Sequence, residues 1–312
     1  MAVPRIPWST AILNFAIKMT DAHRNTIHVE DATILRHDAF AGDQFILRLH
    51  APKTAAEAQP GSFVHIRCAE RLPMRRPISI MRTDPDSGEI ELLYKALGEG
   101  TRALGQRQVG ETLSLMGPIG KPFNIGPDRK RPLLIGGGVG MPPMIFIADH
   151  LRQHADMEPF VILGSEVPFP FNVQPSQHMV AGLPTDVIGT MPLLEDWGIA
   201  CRLASLQGYP GCFEGYVTDL ARAWLDALND DERNEVEIFS CGPHPMLEAV
   251  AKLAADYDLP CQVSLEEFMA CAVGGCAGCV VQVETPEGLA MKRVCVDGPV
   301  FDAKTIFTKA YA

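Results

Sequence analysis

The chain has 312 residues, 47% of them hydrophobic and 21% charged, which is room for two or three domains with a sizeable core. Its formal net charge of −11 argues against nucleic acid or an anionic membrane as a partner, since both attract basic surfaces. Nine cysteines are many, and five of them (Cys68, Cys201, Cys212, Cys241, Cys261) stand singly, as reduced thiols of a cytoplasmic protein do and a disulfide framework does not.

The start, MAVPRIPWST, lacks a basic cluster followed by an apolar run and a small-residue cleavage site, so no secretory signal is read there. Ala11–Ile17 is too short to span a bilayer. Residues 9–20 are predicted to form a short helix capped by Ser9, packed on its own domain or on a partner. Residues 27–125 read as strands: TIHVEDATILRH, DQFILRLH, GSFVHIRC, RRPISIMR, GEIELLYKAL and ETLSLMGP alternate or run apolar between turn residues, the rhythm of an antiparallel barrel.

From Arg131 the pattern changes. PLLIGGGVGMPPMIFIADHLRQH is predicted as strand, glycine-rich turn and helix; FVILGSE as a second strand; DVIGT as a third; and VEIFSCGPHPMLEAVAKLAADYD as strand, turn and helix again. Strands alternating with helices imply a parallel sheet covered on both faces. CQVSLEEF leads into a cysteine-rich loop, and GCVVQVET and LAMKRVCV are predicted to pair as a hairpin beside it. Linkers near Gly126–Arg131 and Ser264–Phe268 divide the chain into an N-terminal extension (1–26), a barrel (27–128), an α/β unit (129–263) and a C-terminal subdomain (264–312).

That last segment carries the most specific signal. Cys271, Cys276 and Cys279 in CAVGGCAGC, followed by Cys295 in KRVCVDGP, give C-x4-C-x2-C, fifteen residues, then C. This is the plant-type spacing for a [2Fe–2S] cluster, with three thiolates from one tight loop and a fourth from outside it. Gly274, Gly275 and Gly278 are expected to let the backbone curl and bring its N–H groups to the sulfurs. Zinc is the competing reading, but structural zinc sites usually match C-x2-C with a second close pair, and no histidine follows His244.

Two turns of the α/β unit suit a dinucleotide. Gly136, Gly137, Gly138, Val139 and Gly140 follow an apolar strand and precede an apolar helix, where a diphosphate can approach backbone and helix N-terminus. The run is not G-x-G-x-x-G, and alone it is equally a tight strand–helix turn. Cys241, Gly242 and Pro243 close the last strand of the unit, at the carboxyl edge where open α/β sheets bind ligands; a lone Cys241 is more often a small buried hydrophobe. In the barrel, Arg76 of R-P-I-S offers a fork for a diphosphate, although exposed strand arginines are common. The turn Gly98–Thr101 offers backbone N–H groups to the same diphosphate.

In this order the motifs resemble the ferredoxin–NADP reductase superfamily. SLEEFMACAVGGCAGC and KRVCVDGPVF narrow the resemblance, over about residues 27–303, to the electron-transfer subunits of class 1B dihydroorotate dehydrogenase. The resemblance implies FAD held by Arg76, Pro77, Ile78 and Ser79, by the following strand at Leu93, Tyr94 and Lys95, and by Gly100 and Thr101. It implies NAD at Gly136–Gly140 and Cys241–Pro243, and the cluster on Cys271, Cys276, Cys279 and Cys295. Nicotinamide exchanges a hydride and the cluster one electron, so FAD stands between them. The implied partner is a catalytic flavoprotein subunit that oxidises dihydroorotate in pyrimidine biosynthesis, in a hetero-oligomer. Chemistry borne by cofactors asks no catalytic acid or base of the chain.

Two stretches depart from the family. Where relatives carry an acidic glycine-rich segment, this chain reads ASLQGYPGCFEG (204–215), and Gly164–Cys201 also diverges. Both border the nicotinamide side, whose binding could be weakened, redirected or lost. Glu166 follows the second strand, where an acid can bond ribose hydroxyls and favour NAD over NADP. Two alternatives stay open: the same module serving a hydrogenase, sulfide-reducing or ferredoxin-linked complex, and a redox sensor that keeps the cluster without turnover.

Overall fold

Six strands of alternating apolar residues close into a barrel in the computed structural model, which describes residues 26–311. They are β1 (His28–Phe40), β2 (Gln44–His50), β3 (Phe63–Ile66), β4 (Arg76–Asp84), β5 (Glu89–Lys95) and β6 (Thr112–Ile119), in the order β1-β2-β5-β4-β3-β6 with β6 pairing back onto β1. Helices α1 (Pro52–Glu57) and α2 (Glu99–Leu104) cover turns between them. The period of two sends Ile34, Leu47, Leu49, Val64, Ile66, Ile80, Ile90, Leu92, Leu113 and Leu115 into one enclosed core. All six predicted strands are present. GEGT is not a free turn, because Gly98 is the N-cap of α2.

The α/β unit runs β7 (Arg131–Gly137), α3 (Met141–Leu151), β8 (Phe160–Gly164), β9 (Gln174–Pro175), β10 (Gly189–Thr190), α4 (Pro192–Asp196), β11 (Ala200–Ala204), α5 (Val217–Ala227), α6 (Asp230–Asn234), β12 (Val236–Cys241), α7 (His244–Asp256) and β13 (Cys261–Ser264). Its sheet has the order β11-β8-β7-β12-β13, all parallel. Leu133, Ile135, Phe160 and Ile162 face one core with Trp224, Leu225, Val250 and Leu253; Leu134, Val161 and Leu163 face another with Met144, Ile145 and Ile147. Strands apolar on both faces are what a sheet covered by helices on both sides requires.

Two expectations for this sheet change. Its third strand is β11, not DVIGT, whose Gly189–Thr190 pairs only with Gln174–Pro175. The apolar run of β11 is interrupted by Arg202, which is buried and donates from Nη1 to the Cys201 carbonyl at 2.7 Å and from Nη2 to the His178 carbonyl at 2.5 Å. The sheet is also mixed: β14 (Val280–Thr285) and β15 (Gly288–Arg293) form the predicted hairpin, and after α8 (Val294–Asp297) the strand β16 (Val300–Asp302) returns antiparallel to β13, before α9 (Ala303–Ile306).

Helix α3 joins the two halves. Its Met141, Met144 and Ile145 share a core with Met81 and Leu93 of the barrel, and its Phe146 lies in the barrel's own core. The C-terminal segment is fastened to the barrel by Lys121 N–H donating to the Gly298 carbonyl at 2.6 Å. Among the described residues no helix is long and apolar enough to cross a membrane. The helix expected at residues 9–20 lies outside the described residues.

Candidate functional site

The parallel sheet has its switch point between β7 and β12, whose neighbours lead away in opposite directions. Open α/β sheets bind ligands at the carboxyl ends of such strands. Gly136 of β7 is in register with Cys241 of β12, so the two glycine-bearing turns lie side by side. They touch through backbone: a Cβ on Gly140 would fall 2.3 Å from the Cys241 carbonyl oxygen and 2.5 Å from the Gly242 nitrogen. The Met246 thioether fills the space beside Gly137 and Gly242, 2.4 Å from where a Cβ on Gly137 would be. Gly138 adopts φ +56° with nothing within 4 Å of a Cβ, so the tip of the turn is open. Pro243, exposed, is the N-cap of α7.

Cys241 is fully buried, and burial holds its thiol well above the usual range, with the Glu266 carboxylate adding to the rise and Ser264 opposing it. It is a neutral thiol. Glu266 keeps an exposed surface while its carboxyl sits in a recess that raises its pKa. It borders a cavity of about 350 Å³ with Gly242, Pro243, His244 and Val281. No spacing along the chain ties Glu266 to Cys241; β13 makes the connection by lying next to β12.

The flavin-type residues meet at the barrel's end. The Arg76 guanidinium lies against Gly100, where a Cβ would come within 2.6 Å of its Nε, and its Nη1 donates to the Met74 and Arg75 carbonyls at 2.9 and 3.1 Å. Any side chain at position 100 would displace that guanidinium. Thr101 Oγ1 accepts from the Gly98 N–H at 3.2 Å and closes the turn. Pro77 and Ser79 are half-buried and Ile78 is buried, alternating along β4. On β5, Leu93 and Lys95 share the outer face, with Leu93 in the core beside α3. Tyr94 does not lie along that face: its ring turns into the barrel, stacks on Phe45 at 5.3 Å and shares a 2.8 Å hydrogen bond with His37 Nε2. Burial raises its phenol pKa. The stretch at 204–215 is ordered, with Ser205 N–H donating to the Phe213 carbonyl at 2.9 Å and Ser205 Oγ donating to the Ser165 carbonyl at 2.7 Å.

The four cysteines converge in two pairs, Cys271 with Cys276 and Cys279 with Cys295. Two neighbouring pairs of thiolates suit the two irons of a [2Fe–2S] cluster. The Cys276 N–H points at Cys271 Sγ and the Gly278 N–H at Cys276 Sγ, each at 3.4 Å. Burial raises the Cys271 pKa, but backbone N–H groups from Val273, Cys276 and Gly275 outweigh it and bring the thiol down to about 7. Cys295 is pushed up to about 12 by burial and by sharing a hydrogen bond with Cys279. These donors suit thiolates that carry a cluster's charge.

The loop's curl differs from the expectation. Left-handed backbone falls at Ala272 (φ +55°), Gly274 (+78°) and Ala277 (+52°), not at Gly275 or Gly278. Alanine in this region costs about 1–2 kcal/mol, and here Ala272 and Ala277 each follow a cysteine, where the reversal turns later N–H groups back to its sulfur. Arg293 Nη1 donates to the Gly274 carbonyl at 3.2 Å while its backbone N–H and Nε bond Asp297 Oδ2 at 2.8 and 3.2 Å, tying the loop tip to α8.

Two family models match parts of the chain. The family model for the iron–sulfur cluster binding domain of dihydroorotate dehydrogenase B matches residues 266–307, and that for the oxidoreductase FAD-binding domain matches 26–123. The dihydroorotate dehydrogenase B (NAD(+)) electron transfer subunit of Shouchella clausii is 31% identical over 274 residues, 86% of this chain and 94% of that protein. The subunit of the same name from Bacillus mycoides is 34% identical over 248 residues, covering 78% and 84%. Among solved structures, a chain of NADH-dependent reduced ferredoxin–NADP oxidoreductase, described for flavin-based electron bifurcation, superposes with a TM-score of 0.71 at 26% identity, covering 90% of this chain and 92% of that one. The barrel, the paired glycine turns and the two cysteine pairs thus coincide with a likeness that runs nearly end to end, and the chain belongs to the family of dihydroorotate dehydrogenase B electron transfer subunits.

Proposed function

We propose that this chain passes electrons between NAD(H) and a partner dihydroorotate dehydrogenase catalytic subunit through FAD and a [2Fe–2S] cluster. One observation carries the reading. Strand β3 pairs with the R-P-I-S strand, Phe63 opposite Ser79, while the same Phe63 shares a buried core with Cys279 and Cys295. Strand β3 is thus paired on one edge with the residues suited to the flavin and contributes Phe63 to the same buried core as two of the cysteines suited to the cluster. When bound, a flavin exchanges two electrons with nicotinamide and single electrons with an iron–sulfur centre.

The chain's own groups bind, orient and insulate. Arg76, Pro77, Ile78, Ser79, Leu93, Tyr94, Lys95, Gly100 and Thr101 are assigned to FAD. Arg76 bonds the diphosphate, Gly100 makes room for the guanidinium, Leu93 and Lys95 line the outer face of β5, and Tyr94 contributes through its backbone. Gly136–Gly140 and Cys241–Pro243 are assigned to NAD, with the open tip at Gly138 supporting close approach of a diphosphate. The buried, neutral Cys241 holds no proton in play at working pH. Cys271, Cys276, Cys279 and Cys295 are assigned to the cluster. The division at 27–128, 129–263 and 264–312 follows the same roles, supported by the matched spans.

A second reading changes only the partner. The likeness to a chain of a ferredoxin-linked oxidoreductase favours a related NAD(P)H complex. Anaerobic titration with NADH and with NADPH, followed by visible absorbance and electron paramagnetic resonance, tests the relay: flavin bleaching together with a two-iron signal is expected from NADH. Adding a dihydroorotate dehydrogenase catalytic subunit, or ferredoxin, then distinguishes the partners by which one draws electrons from the reduced chain. A chain that NADH leaves oxidised refutes the NAD assignment.

A further inference from the structure

A histidine sits in the wall between the two cofactor regions. His65 is 1% exposed, and neither of its ring nitrogens has a hydrogen-bond partner among the described residues. A buried polar group left unpaired costs about 1–3 kcal/mol, so an apolar residue would serve this position better if packing were its only task. The neighbours on the strand are apolar: Val64 and Ile66 fill the barrel, and Phe63 points out of it.

The period of two puts His65 on the same face as Phe63, which belongs to the same buried core as Met269, Ala272, Cys279 and Cys295. Laterally, His65 is paired with Pro77 of R-P-I-S on one side and Met116 of β6 on the other. The backbone carbonyls that act on its ring are those of Met269, two residues before Cys271, and Arg75, next to Arg76. Arg75 fixes the strand from behind, its Nη1 donating to the carbonyls of His65 at 3.2 Å and Ser114 at 2.6 Å. Burial, with Arg75 adding to it, keeps the imidazole neutral and lowers its pKa to about 4. A neutral ring has one N–H to donate.

We propose that His65 is a positioning residue whose ring N–H donates to the Met269 carbonyl when both cofactors are in place, fixing the segment Leu265–Cys271 against the flavin-binding strand. The inference rests on the proposed relay, because the segment enters the cluster loop. It accounts for a polar side chain in an apolar wall. It also gives the cluster loop a fixed register relative to β4 that Met269 and Leu265, as apolar contacts, cannot impose, since dispersion is not directional.

The test uses the holoprotein and three substitutions. His65→Leu removes the donor; His65→Gln and His65→Asn keep an amide N–H at different reach. Flavin content, the two-iron resonance signal, the rate of cluster reduction after flavin reduction in stopped flow, and deuterium uptake by the peptide 265–271 are measured. His65→Leu is expected to retain flavin and cluster, to lose protection over 265–271, and to slow flavin-to-cluster transfer by up to about tenfold, the population shift that one lost hydrogen bond permits. At least one amide variant is expected to restore both rate and protection. Wild-type rate and protection in His65→Leu overturn the proposal, as does equal impairment in all three variants, which makes the role one of volume. If His65→Leu fails to fold, the two amide variants decide: one must match wild type, and equal loss in both overturns it. A wild-type protein that carries FAD but no cluster signal refutes the relay itself, a result separable from these.

Discussion

Gly140→Ala tests the packing of the two glycine turns proposed to hold NAD. The backbone at Gly140 has φ −85°, which alanine adopts freely, so the substitution carries no conformational penalty. Reduced freedom of the unfolded chain even favours alanine by about 0.4–1 kcal/mol. The new Cβ, however, would lie 2.3 Å from the Cys241 oxygen, 2.4 Å from its carbonyl carbon and 2.5 Å from the Gly242 nitrogen. All three are backbone atoms at the ends of paired strands, with no flexible side chain to swing away. Relief requires the β7–α3 turn to part from the β12–α7 turn by about 1 Å, the gap between these contacts and ordinary van der Waals distance. Overpacking of this kind costs about 1–3 kcal/mol, leaving a net loss of up to about 2.6 kcal/mol after the entropic gain. Urea unfolding followed by tryptophan fluorescence reads it, since Trp197 and Trp224 both belong to the α/β half. A 1 Å misplacement also disrupts alignment for transfer, by about 10²-fold in NADH-driven flavin reduction. Flavin and cluster content stay unchanged, because neither Arg76–Gly100 nor the cysteine loop is touched. Gly126→Ala, with nothing within 4 Å, is the control and stays within about 0.5 kcal/mol of wild type. Wild-type stability and wild-type NADH reduction in Gly140→Ala would refute the packing of the two turns as the basis of the site.

Other perturbations separate the remaining parts. Cys276→Ser abolishes the two-iron resonance signal but leaves FAD bound, because the barrel core contains no part of the cysteine loop; loss of flavin in that variant contradicts the independence of the barrel. Arg76→Ala removes a charge-assisted contact and weakens FAD binding by about 1.5–3 kcal/mol, read by fluorescence titration of the apoprotein, and unchanged affinity sinks the diphosphate role. Glu166→Arg places a cation beyond β8, where Glu166 is exposed, and shifts preference toward NADPH by about tenfold or more if the ribose lies there; an unaltered NADH-to-NADPH ratio removes Glu166 from the site. His65 supplies a pH dependence. Its folded pKa of about 4 lies below the ordinary 6.5, so between these values the unfolded chain binds the extra proton. Stability is therefore highest above pH 6.5 and falls as pH drops toward 4, by up to about 3 kcal/mol, as the buried ring is forced to take up a proton. Urea midpoints from pH 7.5 to 4.5 should fall more steeply in wild type than in His65→Gln, and parallel curves contradict the burial argument.

The C-x4-C-x2-C loop, the six barrel strands and the two glycine turns were legible because each depends on local spacing. C-x4-C-x2-C bends one loop round its ligands, a period of two assigns faces to a strand, and glycine runs mark turns whatever lies beyond them. The sequence by itself therefore determined which residue types gather in which segment. What it left undecided were relations between segments. The third strand of the sheet was hidden because Arg202 interrupts β11, and only the carbonyls of Cys201 and His178 around it make that burial tolerable. Tyr94 faces inward because His37, 57 positions away, offers its hydroxyl a partner inside the barrel. The antiparallel return of β16 joins the cysteine segment to the α/β sheet across the boundary that composition suggested. The backbone N–H groups turned toward Cys271 and Cys276 accompany left-handed residues at two alanines, which no propensity favours and which tertiary contacts must hold. His65 came to lie beside Pro77 of R-P-I-S only when β3 paired with β4. Such contacts depend on which distant surfaces are buried together, and burial is a property of the assembled chain, not of any one stretch of it.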